Sequence, residues 1–222
     1  VYKRQALKMA EAANEAKTKF LAGMSHEIRT PMNAIIGLNS MIRSSLDDRE
    51  QVLDYTEKLD SASQYLLALL NDILDMSKIE AGTLEFVYST VDINLLLSDL
   101  QRLFQMRIND AGGKVQIIAE PSLSSCLIQT DRNRVAQVIS NFVGNAIKFT
   151  REGNIRIGYE AKDTELYFYV KDTGTGIPAE KLSNVFGRFV KLNKDQKGAG
   201  LGLSISQTIV GKLSGQIGAD SI

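Results

Sequence analysis

The chain has a single histidine, His26, in the stretch Ser25-His26-Glu27-Ile28-Arg29-Thr30-Pro31. Imidazole in its neutral form is a nucleophile, and a carboxylate beside it can take the proton that the ring sheds as it attacks phosphorus. Glu27 is that neighbour in sequence. A zinc site of the two-histidine helical type needs a second imidazole four residues on, where this chain has Thr30, so that chemistry is excluded. On this helix alone, an idle surface histidine is the competing reading.

Asn141 and Asn145 lie four residues apart, with Lys148 three further on. On a helix that spacing puts both amides on one face. Uncharged amides can hold a hydrated magnesium ion whose other ligands are phosphate oxygens, and a lysine offsets the added negative charge. The same pattern also fits a solvated helix face. Two glycine clusters follow. Asp172-Thr173-Gly174-Thr175-Gly176-Ile177-Pro178 comes straight off a hydrophobic run, which places the Asp172 carboxylate where it can accept a hydrogen bond from an exocyclic amine such as that of adenine. Gly198-Ala199-Gly200-Leu201-Gly202-Leu203 opens a helical pattern, and the free amides of a helix N-terminus suit phosphates. Turns explain most lone glycine clusters; two of them flanking one aperiodic segment say more. No Gly-Lys-Ser/Thr follows either cluster, so neither is a Walker loop.

These residues need elements to position them. From Leu21 the apolar residues Leu21, Met24, Ile28, Ile35, Leu38 and Ile42 recur in steps of three and four, with Pro31 in the one vacant place. Past a polar turn at residues 45–49, Val52, Tyr55, Leu59, Ala62, Leu66, Leu69, Ile73 and Met76 repeat the pattern. The spacing predicts a helical hairpin in which His26 points away from the seam. Pro31 lacks an amide hydrogen and is expected to bend the first helix one turn after His26. Leu53, Leu67, Leu70 and Leu74 widen the apolar stripe of the second helix beyond what one partner covers, so a homodimeric four-helix bundle is expected.

Near Ala81-Gly82 the heptads stop, which sets expected domains at 1–81 and 82–222. Strands are expected at 84–91, 115–119, 126–130, 154–160 and 165–171, in a mainly antiparallel sheet, with the last two joined by a turn at 162–164. Helices are expected at 93–109, 132–149 and 202–213, covering one sheet face. The architecture is thus α+β, a helical hairpin followed by an α/β sandwich.

Composition limits the partners. Over 222 residues, 26 basic and 26 acidic side chains cancel, so no bulk positive field favours nucleic acid or an anionic membrane. No run of about 18 apolar residues is present, and no direct membrane contact is expected. The lone Cys126 rules out an internal disulfide and suits a reducing compartment.

Residues 25–31 resemble the phosphoacceptor box of sensor histidine kinases, and residues 141–148, 172–178 and 198–203 resemble their nucleotide-binding boxes in the same order. Phe186-Gly187-Arg188-Phe189 resembles the phenylalanine box between the glycine boxes. The resemblance covers roughly residues 16 to 220 and implies the ATP-binding fold shared with gyrase, Hsp90 and MutL, lacking here that fold's final strands. It implies autophosphorylation of His26 by ATP, then transfer to an aspartate of a response regulator in two-component signalling. His26 would be the phosphoacceptor, Glu27 its acid/base partner and Thr30 the residue that places water in regulator dephosphorylation. Asn141 and Asn145 would hold magnesium, Lys148 a phosphate and Asp172 the adenine amine. Gly174 and Gly176 would shape the adenine pocket, and Gly198, Gly200, Leu201 and Gly202 would line the lid. A cytoplasmic segment of a larger membrane-bound bacterial receptor is the implied setting. A degenerate ATP-binding module and a clamp-type ATPase are the competing classes.

Overall fold

The computed structural model describes the backbone of residues 2–190 and 200–221, with the side chains of Thr18 and of residues 21 onward within those spans. It divides into two compact units, one up to Gly82 and the other from Thr83 onward.

The first unit is a helical hairpin of α1 (Tyr2–Ser44) and α2 (Arg49–Glu80). Helix α1 runs unbroken through Pro31, whose ring is buried. The proline fills the seam position that the heptad spacing assigns it. Asp48 starts α2: its carboxylate accepts from the Gln51 backbone N–H at 3.1 Å and from the Gln51 side-chain amide at 2.7 Å. An N-cap of this kind contributes about 1 kcal/mol. On α2, Leu69 and Met76 are buried, whereas Leu53, Leu67, Leu70 and Leu74 stay exposed within the single chain. The widened stripe is therefore present, as its leucines predicted.

In the second unit the order is β1 (Ser89–Asp92), α3 (Ile93–Asp110), β2 (Lys114–Glu120), β3 (Leu127–Thr130), α4 (Arg132–Phe149), β4 (Glu152–Lys162), β5 (Glu165–Asp172), α5 (Ala179–Leu182) and α6 (Gly202–Lys212). The expected single, mainly antiparallel sheet is not what forms among the described residues. A two-stranded antiparallel pair β1-β3 stands apart from a three-stranded sheet β2-β4-β5, in which β2 and β4 run parallel and β4 and β5 antiparallel. The connection from β2 to β4 carries α4, and a helical crossover is what returns a strand parallel to its neighbour. The strand expected at 84–91 shrinks to its last part, because the Val87 amide donates to an Asp131 carboxylate oxygen at 2.8 Å rather than to a ladder partner.

Ile155, Ile157 and Tyr159 alternate along β4 and are fully buried. They meet Leu96, Leu97, Leu100 and Phe104 of α3 and Ile139, Val143 and Ala146 of α4 in one core. Each of the isoleucine, leucine, valine and phenylalanine side chains contributes about 1.5–3 kcal/mol by leaving water. The Tyr159 hydroxyl stays satisfied in this core by donating to Asn94 Oδ1 at 2.8 Å.

Asp131 fixes where α4 begins. One of its oxygens accepts from the amides of Asn133 (2.9 Å) and Arg134 (3.1 Å), the other from Val87. Burial pushes its carboxyl up, but the three backbone donors outweigh that and hold it below the usual carboxylate range. A depressed folded-state value means stability that is present above the unfolded value, about 4, and lost as pH falls through the folded one. Asp131→Ala is expected to cost about 2 kcal/mol at pH 7, with the deficit narrowing below about pH 4. Urea denaturation at pH 7 and pH 3 checks both parts.

Candidate functional site

In the hairpin, His26 sits exposed on α1, as its place outside the seam predicts. Glu27, next to it, is half-buried, and its Oε2 accepts a hydrogen bond at 3.2 Å from the Tyr65 hydroxyl of α2. Thr30 turns its hydroxyl back to the His26 carbonyl at 3.2 Å. The sequence reading did not single out Tyr65. The signal available was geometric: in an antiparallel hairpin that turns near Leu46, positions 27 and 65 lie at equal distance from the turn and so at the same height.

The second unit builds its site around α4. Asn141, half-buried near the middle of the helix, donates through Nδ2 to the Gly202 carbonyl at 3.0 Å and to Ser206 Oγ at 3.0 Å. A carbonyl only accepts, so the amide nitrogen is the atom bonded to α6 and Oδ1 is the atom left without one of these bonds. Asn145 follows one turn later, half-buried on the same side, and Lys148 is exposed with its ammonium 5.8 Å from the Phe149 ring centroid. Among the described residues no group of three His, Cys, Asp or Glu could hold a metal ion. Amide oxygens of Asn141 and Asn145 are of a donor type that can meet a hard divalent cation whose anionic ligands are a nucleotide's phosphates.

At the C-terminal end of α4 the helix is stitched to the first glycine cluster. Thr175 donates its amide to the Phe149 carbonyl at 3.2 Å, and Gly174 donates its amide to Asp172 Oδ1 at 2.8 Å. The buried Thr150 hydroxyl points at the same Oδ1 from 3.5 Å. Oδ1 is thus held by its own loop, while the Asp172 side chain as a whole is exposed and its second oxygen can accept a further hydrogen bond. Gly174 is needed where it stands: a Cβ there would lie 2.6 Å from the Phe149 carbonyl oxygen and 2.7 Å from Asp172 Oδ1. Gly176 has φ +68°, a left-handed turn conformation that glycine adopts freely.

Beyond this loop, Phe189 donates its amide to the Gly200 carbonyl at 2.9 Å. Gly200 has φ +69°, and a Cβ on it would come within 2.8 Å of the Val190 carbonyl oxygen. Leu201 is fully buried, and Gly202 opens α6 with no side chain capping its first amides. Gly198, Ala199 and the lysines at 191, 194 and 197 lie outside the described residues. The structure thus joins Asn141 to Gly202, and the end of α4 to Asp172 and Gly174, within one unit. Thr150 and Ser206 are contacts that the sequence reading missed.

Residues 16–82 match the His Kinase A (phospho-acceptor) domain, and residues 130–221 match the histidine kinase-, DNA gyrase B-, and HSP90-like ATPase domain. The chain belongs to the sensor histidine kinases. This kinase core is 36% identical over 222 residues to hybrid signal transduction histidine kinase B of Dictyostelium discoideum, covering 96% of this chain and 11% of that protein. It is 35% identical over 231 residues to the autoinducer 2 sensor kinase/phosphatase LuxQ of Vibrio vulnificus, covering 99% of this chain and 27% of that one. The kinase core therefore spans between about a tenth and a quarter of these relatives. Among solved structures, full-length ShkA in complex with AMPPNP aligns at TM-score 0.63 and 32% identity, over 90% of this chain and 42% of that one. Histidine kinase ThkA in complex with the response regulator TrrA aligns at TM-score 0.64 and 27% identity, over 89% and 55%. Among the described residues, no helix of the kinase core is long and apolar enough to cross a membrane.

Proposed function

We propose that this chain phosphorylates itself on His26 with the γ-phosphoryl group of ATP and then donates that group to an aspartate of a response regulator. The observation that carries the proposal is the exposed imidazole of His26, followed on the same helix by Glu27, whose carboxylate accepts from the Tyr65 hydroxyl at 3.2 Å. In the first step a ring nitrogen of His26 bonds to the γ-phosphorus, the bond to the bridging oxygen breaks and ADP leaves. The remaining ring N–H proton passes to Glu27. Asp172 would receive the adenine amine, with Gly174 and Gly176 shaping its pocket. Gly198, Gly200, Leu201 and Gly202 would line the phosphate side, with Lys148 near the charge. Asn141 and Asn145 would hold the magnesium ion, which when bound neutralises charge on the phosphate oxygens. Thr30, one turn from His26, would place water for dephosphorylation of the regulator once its hydroxyl turns from the helix.

Residues 1–81 form the dimerising phosphotransfer hairpin in this reading, and 82–222 the catalytic domain. The exposed Leu53, Leu67, Leu70 and Leu74 support a homodimer, since a stripe of that size in water calls for a second copy. The regulator as partner is supported by likeness to ThkA, solved with TrrA. Kinship with LuxQ, named as an autoinducer sensor, supports a place in the cytoplasmic part of a larger receptor.

A kinase that keeps its phosphoryl group turns over once. With magnesium and ATP but no regulator, ADP release is expected to stop at no more than one per chain and to vanish in His26→Gln. Steady ADP release that survives His26→Gln would place the chain with the ATPases of this fold instead.

A further inference from the structure

Ser206 lies in the second turn of α6, has none of its surface in water, and takes no part in the boxes that the sequence singled out. A buried hydroxyl is retained where it is paired. Its partner is Asn141, whose Nδ2 donates to Ser206 Oγ at 3.0 Å and to the Gly202 carbonyl at 3.0 Å. An amide nitrogen carries two hydrogens, so both are spent on α6. The terminal torsion of asparagine is broad and roughly two-fold. Left to itself, the group would present N–H as readily as oxygen to the space beyond α4, and an N–H aimed at a cation repels it. Two acceptors on a neighbouring helix remove that freedom.

We propose that Ser206 is a positioning residue for the metal and phosphate end of the nucleotide site: with the Gly202 carbonyl it ties down the Asn141 amide nitrogen, so that Oδ1 is the amide atom left to meet the cation. The proposal rests on the reading of Asn141 as a magnesium ligand. It assigns to a residue on α6 a part of the cation affinity that the pattern of asparagines places wholly on α4. It also separates Ser206 from Ser204, which is likewise buried on α6 but donates to the carbonyl of Leu201, the residue just ahead of that helix, at 2.8 Å.

The test is calorimetric titration of AMPPNP into the whole chain across a magnesium series and in EDTA, for the wild type, Ser206→Ala, Ser204→Ala and Asn141→Ala. Loss of one hydrogen bond that orients a ligand is expected to raise the magnesium midpoint of Ser206→Ala about three- to tenfold. Affinity in EDTA should stay within about twofold and Ser204→Ala should keep the wild-type midpoint, since neither depends on the Asn141 lock. If Asn141→Ala shifts the midpoint and Ser206→Ala does not, the positioning role is wrong although the metal assignment stands. If Ser206→Ala weakens binding equally with and without magnesium, its role is structural and the proposal falls. An unchanged midpoint in Asn141→Ala removes the metal assignment itself.

Discussion

Gly174→Ala is expected to lower nucleotide affinity about 100-fold while the second unit stays folded. The added methyl would lie 2.6 Å from the Phe149 carbonyl oxygen, 2.7 Å from Asp172 Oδ1 and 2.9 Å from Thr150 Oγ1. One of these is backbone at the end of α4, already accepting from Thr175, so the helix cannot give way cheaply. The loop must move instead, and it carries with it the Asp172 carboxylate whose orientation the Gly174 amide sets. An acceptor displaced by about an ångström no longer meets the adenine amine, and the unmet polar groups cost about 2–3 kcal/mol. Gly144→Ala is the matched control: it lies on the exposed side of the same helix with nothing within 4 Å of its Cβ. There alanine is expected to stabilise by about 0.5–1 kcal/mol through helix propensity and leave binding unchanged. Calorimetry with AMPPNP beside a urea melt reads both, and binding by Gly174→Ala within about threefold of wild type would overturn the pocket assignment.

Glu27→Gln is expected to slow His26 phosphorylation about 10²- to 10³-fold at saturating ATP with no change in nucleotide affinity. The substitution keeps the shape of the side chain and an oxygen for the Tyr65 hydroxyl, which sits 3.2 Å from the carboxylate. What it removes is the capacity to take the imidazole proton as the nitrogen bonds to phosphorus. Affinity is expected to be spared because the residues proposed to bind the nucleotide belong to the other unit. A single-turnover rate within about threefold of wild type would mean that the proton leaves to water and that Glu27 is not the base.

Local structure was legible where side chains bond to their own backbone. Asp131 and Asp92 each precede an apolar 3.6-residue pattern, and each accepts from amides of the helix that follows, so α3 and α4 begin where the sequence puts them. The hairpin was equally plain, since heptads state which face is buried. Sheet pairing was legible only for β4 and β5, whose short connecting turn makes them antiparallel neighbours; alternation in β2 tells which face is inward and nothing about its lying alongside β4 and parallel to it. The shortening of the strand at 84–91 has the same origin, a competing bond from Val87 to a carboxylate 44 positions away.

The site shows the same division. Asn141, Asn145, Asp172 and the glycines could be picked out as candidates because their types suit nucleotide chemistry and their boxes follow one another in the family's order, although each pattern alone also fits an ordinary helix face or turn. Tyr65, Thr150 and Ser206 could not, for a tyrosine beside a seam, a threonine after a helix and a serine within one are ordinary residues until the fold sets each against its partner. The residues proposed to bear the chemistry were readable as candidates; the contacts around them were not.

The most direct test of the kinase reading is to incubate the chain with γ-labelled ATP and magnesium, then expose the labelled protein to acid and to alkali, beside a His26→Gln control. A phosphorus–nitrogen bond on imidazole is lost in acid and survives alkali. The expected result is label on the wild type with that stability and none on His26→Gln. Label that resists acid, or that persists in His26→Gln, would put the phosphoryl group on another residue and contradict the account.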